Sequence, residues 1–111
     1  GVVMAKYMIC GSYTEQGKRG LIMDGGVKRQ SIVEGLISEQ GGRVESFNFA
    51  FGAHDLYVIV DFPDNIHIAA LSLDVGAGGS LNFQTVVLIT PEELDSAIEK
   101  GSNYVPGKTH S

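Results

Sequence analysis

His54 and Asp55 are neighbours in the stretch FGAHDLYVIVDF, and an imidazole positioned by a carboxylate is the pairing that general-base catalysis uses. Adjacent residues of an extended chain point to opposite faces, so the two pair directly only if the chain bends sharply there. The simpler roles are an exposed turn residue for His54 and an acceptor of turn amides for Asp55. Tyr13, with Ser12 and Thr14 beside it, closes an apolar run and can line the mouth of a pocket. Its alternative role is half-buried packing with a satisfied hydroxyl. Arg29, near the start of a helical stretch, can bind an anionic group together with nearby backbone amides, or form a surface or intersubunit salt bridge. Asn48 alternates with Phe47 and Phe49 and so faces away from them; a buried amide there would need partners and can mark a ligand cavity. Tyr13, Arg29, Asn48, His54 and Asp55 are therefore the candidate ligand contacts, with His54 and Asp55 as the catalytic candidates.

Other chemistries find less support. His54, His67 and His110 have no ligand spacing, so no metal site is expected, and His67 reads as a helix-surface residue near Asp64. The pairs Gly25-Gly26, Gly41-Gly42 and Gly78-Gly79 fall outside any phosphate-binding fingerprint and suit helix ends and turns; no cofactor is expected. Cys10, the single cysteine, lies in an apolar run and reads as a small buried hydrophobe, with a reactive thiol as the alternative. The net charge of −5, from 13 acidic and 8 scattered basic residues, argues against a nucleic-acid partner, which needs a basic stripe. No apolar run reaches the 18 residues of a membrane span, and no basic segment leads into an apolar one as in a secretion signal. The expected location is the cytoplasm.

Positioning those side chains requires a core, and 111 residues suffice for a single one. Hydrophobic residues at 43% and charged residues at 19% place the chain among globular proteins. One domain is expected over residues 4–101, with residues 1–3 as an extension and residues 102–111 as a tail without periodicity. Residues 6–13 (KYMICGSY) read as the first strand. The following TEQGKRG breaks it, and Leu21-Ile22-Met23 amount to one helical turn. In residues 27–40 Ile32, Val33, Leu36 and Ile37 form one apolar stripe, with Lys28, Arg29, Glu34 and Glu39 mostly off it. Gly41-Gly42 ends that helix.

Residues 43–51 place Phe47, Phe49 and Phe51 at period two on one face of a second strand, and Gly52 to Asp55 turn the chain into a third, residues 56–62. Pro63-Asp64-Asn65 caps a helix over residues 66–78, in which Ile66, Ala69, Ala70, Leu73 and Ala77 keep helical spacing. Residues 82–89 (NFQTVVLI) are the fourth strand. Thr90-Pro91-Glu92-Glu93 is a capping box that opens a last helix ending near Lys100.

The order β-α-β-β-α-β plus a C-terminal helix is the ferredoxin-like α+β arrangement with a four-stranded antiparallel sheet. Two helices cover only one face of such a sheet. Both faces read as apolar: Leu56, Val58 and Val60 oppose Tyr57 and Ile59, while Tyr7, Ile9 and Tyr13 oppose Met8 and Cys10. In the fourth strand Phe83, Val87 and Ile89 oppose Val86 and Leu88. An uncovered apolar face is a liability in a monomer, so the expected partner is a second copy stacking sheet to sheet. The alternative is cover in cis by the last helix and tail.

With these elements placed, the chain resembles the GYD domain family over about residues 4–100. The resemblance is carried by MAKYMICGSYT, GLIMDGGVKRQ, FGAHDLYVIVDFPD and ITPEELDSAI. The family is named for a Gly-Tyr-Asp signature in the hairpin turn; this chain keeps Gly52 and Asp55 and has His54 where the tyrosine is usual. The resemblance implies a ferredoxin-like fold of the dimeric α/β-barrel group and no established activity. Three functions follow as expectations. The first is a homo-oligomeric binding or accessory module for a small, fairly apolar ligand. The second, by analogy of fold, is a cofactor-free monooxygenase- or isomerase-like enzyme with His54 or Asp55 as base and Tyr13 or Arg29 orienting the substrate. The third is a purely structural assembly unit.

Overall fold

A computed structural model of the chain describes residues 3–101. The tail of residues 102–111, with His110, and residues 1–2 of the N-terminal extension lie outside the described residues. The elements run β1 (Ala5–Tyr13), α1 (Glu15–Asp24), α2 (Gly26–Glu39), β2 (Arg43–Phe49), β3 (Leu56–Phe62), α3 (Asn65–Gly78), β4 (Leu81–Leu88) and α4 (Pro91–Lys100). The strands make one open antiparallel sheet in the order β2-β3-β1-β4, the ferredoxin-like arrangement.

The register explains the core. Tyr7 pairs with Val60 and Ile9 with Val58, so alternate residues of the two central strands share one face. Leu56, Val58, Val60 and Phe62 are buried there against Ile37 of α2 and Ile68 and Leu71 of α3. Tyr7 is buried among them with its ring edge-on to Phe62, and its hydroxyl donates to the Asn65 side chain. Burial pushes the Tyr7 phenol up, and the Asp64 charge adds to that.

Glycines close the helix ends where the backbone must turn left-handed. Gly41 has φ +79°, its N–H donates to Ser38 and the Gly42 N–H donates to Ile37, which together form a Schellman motif. Gly42 has a second constraint, since a Cβ there would lie 2.7 Å from the Phe62 ring.

Three expectations differ from the structure. The segment after β1 is a ten-residue helix, α1, rather than a break with one turn. Thr14 caps it by accepting from the Gly17 N–H at 3.1 Å, and Gly25 at φ +81° separates it from α2. Phe51 lies outside the strand: β2 stops at Phe49 because β3 pairs only from Leu56, and Phe51 is fully exposed. A register shift between Val44 and Ser46 further bends β2. In α3 the buried residues are Ile68 and Leu71, whereas Ile66 and Leu73 face outward.

The other sheet face carries Met8, Cys10, Tyr57, Ile59 and Val86 in its middle, with Gln84 opposite Cys10 and Leu88 beside Lys6. At one end it carries an ion-pair network in which Asp61 receives Lys6 at 3.1 Å and Arg43 at 3.2 Å, while Lys6 also meets Glu45 at 2.8 Å. The α4 helix does not cover this face: every residue from Pro91 to Gly101 is exposed.

Candidate functional site: a cleft between two helices and the sheet

The spacing of α2 and α3 makes the site. Helix α2 leans on β2 and α1, and α3 leans on β4 and β3, leaving a gap over the sheet between them. That gap is a cavity of about 220 Å³. Ile9, Leu56 and Val58 form part of its floor, Ile32 and Leu36 one wall, and Leu71 and Val75 the other. The apolar stripe of α2 thus divides. All four residues line the gap, but Ile37 is buried in the core with Val33 packed against it, whereas Ile32 and Leu36 stay partly exposed.

Tyr13, Arg29, Asp74 and Ser80 supply the polar part of the lining. The Tyr13 hydroxyl and the Arg29 Nε are both buried without a hydrogen-bond partner in the described chain, a state that ordinarily costs about 1–3 kcal/mol per group. The other side of the guanidinium is engaged: Nη2 donates to Asp24 Oδ2 at 2.8 Å. Lys28 approaches the second Asp24 oxygen at 3.4 Å. Burial pushes the Tyr13 phenol up, the Arg29 charge pulls it back in part, and Asp55 raises it again. The phenol is therefore a protonated donor at neutral pH.

The remaining candidates part company. Asp55 Oδ2 accepts from the Tyr13 backbone N–H at 2.9 Å, and the Asp55 backbone N–H donates to Gly11 O at 2.8 Å, so this residue ties the β2–β3 connection to the end of β1. It borders a second hollow of about 500 Å³, lined also by Tyr13, Lys18, Ile22, Phe49 and Phe51. His54 turns to the other face, with Nδ1 3.3 Å from Ser12 Oγ and its ring edge-on to Tyr57. Asn48 is exposed on that same face, as its alternation with Phe47 and Phe49 predicts, and donates to Ser46 Oγ at 2.7 Å. The structure brings Tyr13 and Arg29 to one cavity and leaves Asn48 and His54 off it.

Sequence reasoning did not single out Ile32, Leu36, Leu71 and Val75 as cleft walls, because they carry the same signal as core positions. Among the described residues no three His, Cys, Asp or Glu side chains come together, and no helix is long and apolar enough to cross a membrane. His67 pairs with Asp64 at 2.6 Å, and that hydrogen bond holds the Asp64 carboxyl below its ordinary range.

Fold and cleft together define a ferredoxin-like α+β protein with an apolar helix–sheet cavity. The model of the GYD domain matches residues 7–98, and the chain belongs to that family. No curated protein and no solved structure matched the chain.

Proposed function

We propose that this protein is a homo-oligomeric binding or accessory module whose helix–sheet cleft takes a small, fairly apolar ligand. The observation that carries the reading is the 220 Å³ cavity with apolar walls and two buried polar atoms, Tyr13 Oη and Arg29 Nε, free of partners in the described chain. Base catalysis by His54 and Asp55 is the weaker reading, because their side chains take different partners on opposite faces of the sheet. Self-association is supported by the apolar middle of the open sheet face, which no described helix covers. The single cysteine, which has no second thiol to pair with, fits work in the reducing cytoplasm.

Native mass spectrometry of freshly purified protein tests both halves at once. A dimer or larger species carrying a reproducible small adduct is expected, and replacing Leu36 with Glu in the cleft wall should abolish the adduct. A bare monomer overturns the oligomer. An adduct retained by Leu36→Glu removes the cleft as its site.

A further inference from the structure

Among the described residues two apolar surfaces have no partner, and they cannot meet each other within one molecule. One is the hollow beside α1, where Ile22 is 83% exposed and Phe51 fully so, with Phe49 between them and Lys18 at the rim. Lys18 makes no ion pair among the described residues. The other is α4. Its Leu94 and Ile98, four residues apart on one stripe, are 50% and 68% exposed. Asp95 and Glu99 follow that stripe along one flank, and neither makes an ion pair among the described residues.

Their positions rule out a contact in cis. Leu88 at the end of β4 pairs with Lys6, whereas the hollow lies at the Tyr13 end of β1, which pairs with Leu81. Only Ile89 and Thr90 join β4 to α4. An eight-residue strand is about 26 Å long and a ten-residue helix about 15 Å, so α4 folded straight back still falls short of the hollow. The molecule is in fact drawn out, 62 Å along its longest axis.

We infer that α4 of one copy docks in the α1 hollow of a second copy, with Leu94 and Ile98 against Ile22, Phe49 and Phe51. Lys18 at the rim faces the acidic flank of α4, which gives the contact its polarity. In this helix-in-groove contact different surfaces meet, and it closes in one of two ways: two copies exchange helices about a twofold axis, which makes the whole interface isologous, or the contacts run head to tail around a ring. It is separate from any stacking of the open sheet faces and does not depend on the cleft.

Two variants and their mixture test it by sedimentation equilibrium. Leu94→Glu with Ile98→Glu disables the helix; Ile22→Glu with Phe51→Glu disables the hollow. All four positions are exposed, so folding, checked by circular dichroism, is expected to persist. Each double variant alone should self-associate at least about tenfold more weakly than the parent, or drop to a smaller assembly. An equimolar mixture should recover a complex, since each partner keeps the surface that the other lacks. The inference is overturned if the helix variant assembles like the parent, or if the parent is a monomer throughout. It is equally overturned if both variants weaken and the mixture recovers nothing, which would mean that each surface meets its own copy.

Discussion

The backbone N–H of Tyr13 donates to the Asp55 carboxylate at 2.9 Å, across 42 positions of sequence. This one bond fixes the last residue of β1 to the connection between β2 and β3, and so sets where the Tyr13 ring enters the cleft. Because it places a carboxylate on a buried residue's amide, removing it leaves that N–H unsatisfied. Asp55→Ala is expected to lower stability by about 1–3 kcal/mol in urea unfolding. Asp55→Asn, which keeps an acceptor oxygen, should lose less than half of that. Equal losses would show that the carboxylate charge matters and the bond does not.

Gly17 lies where α1 crosses the start of β4. A Cβ there would overlap the Ser80 carbonyl oxygen and crowd the Tyr13 ring. Thr14 binds the same corner, its N–H donating to Ser80 O at 3.0 Å and its hydroxyl to Gly79 O at 2.8 Å. Gly17→Ala is therefore expected to cost about 2 kcal/mol or more, since backbone cannot yield as a side-chain tip does. Gly35→Ala is the control: nothing lies near its Cβ position in α2, and helix propensity predicts a gain of up to about 1 kcal/mol. Thermal unfolding of the two variants should move in opposite directions.

Asp61 is only 6% exposed and carries the ion-pair network of the open face. Burial pushes its carboxyl up, but the hydrogen bonds from Lys6 and Arg43 outweigh that and hold it below its ordinary value of 3.8. A depressed folded-state value means stability that is fully present above the unfolded value and lost as pH falls through the folded one. Asp61→Asn should cost on the order of 1–2 kcal/mol at pH 7, moderated because the Lys6 and Arg43 side chains remain partly in solvent. The difference between the two proteins should shrink as the pH falls below about 4. A gap that stays constant from pH 7 to pH 3 would remove the charge from the explanation.

Much of this fold was legible because local and tertiary signals agree. The third strand was read with the bounds it has, since Leu56 to Phe62 is rich in strand formers and bounded by Asp55 and Pro63. The capping box at Thr90 is present on both sides, the hydroxyl accepting from Glu93 N–H and the Glu93 carboxylate accepting from Thr90 N–H, each at 3.0 Å. The α1 helix was hidden because Gly17 and Gly20 lower its intrinsic propensity. Gly17 answers to a neighbour distant in sequence, Ser80, and Gly20 to the Arg29 side chain of the next helix. Phe51 kept the alternation of a strand, yet a strand ends where its partner does. Of the site, the divergence of His54 and Asp55 followed from chain geometry alone. Tyr13 and Arg29 read as ligand contacts from sequence, but the walls of the cleft did not, because a gap between α2 and α3 depends on where two helices sit.

Tyr13→Phe separates stability from binding at that cavity. The hydroxyl is buried without a partner among the described residues, so its removal leaves the ring packing intact and deletes an unsatisfied group. The variant should be as stable as the parent or up to about 1 kcal/mol more so in urea unfolding. If the cleft holds its ligand through this hydroxyl, the same change should weaken binding by about tenfold, read as loss of the adduct in native mass spectra. A group kept at a cost in stability and repaid on binding is how a preformed polar contact in an apolar site behaves. A variant that loses stability and keeps its adduct would instead make Tyr13 a packing residue whose hydroxyl is satisfied in solution.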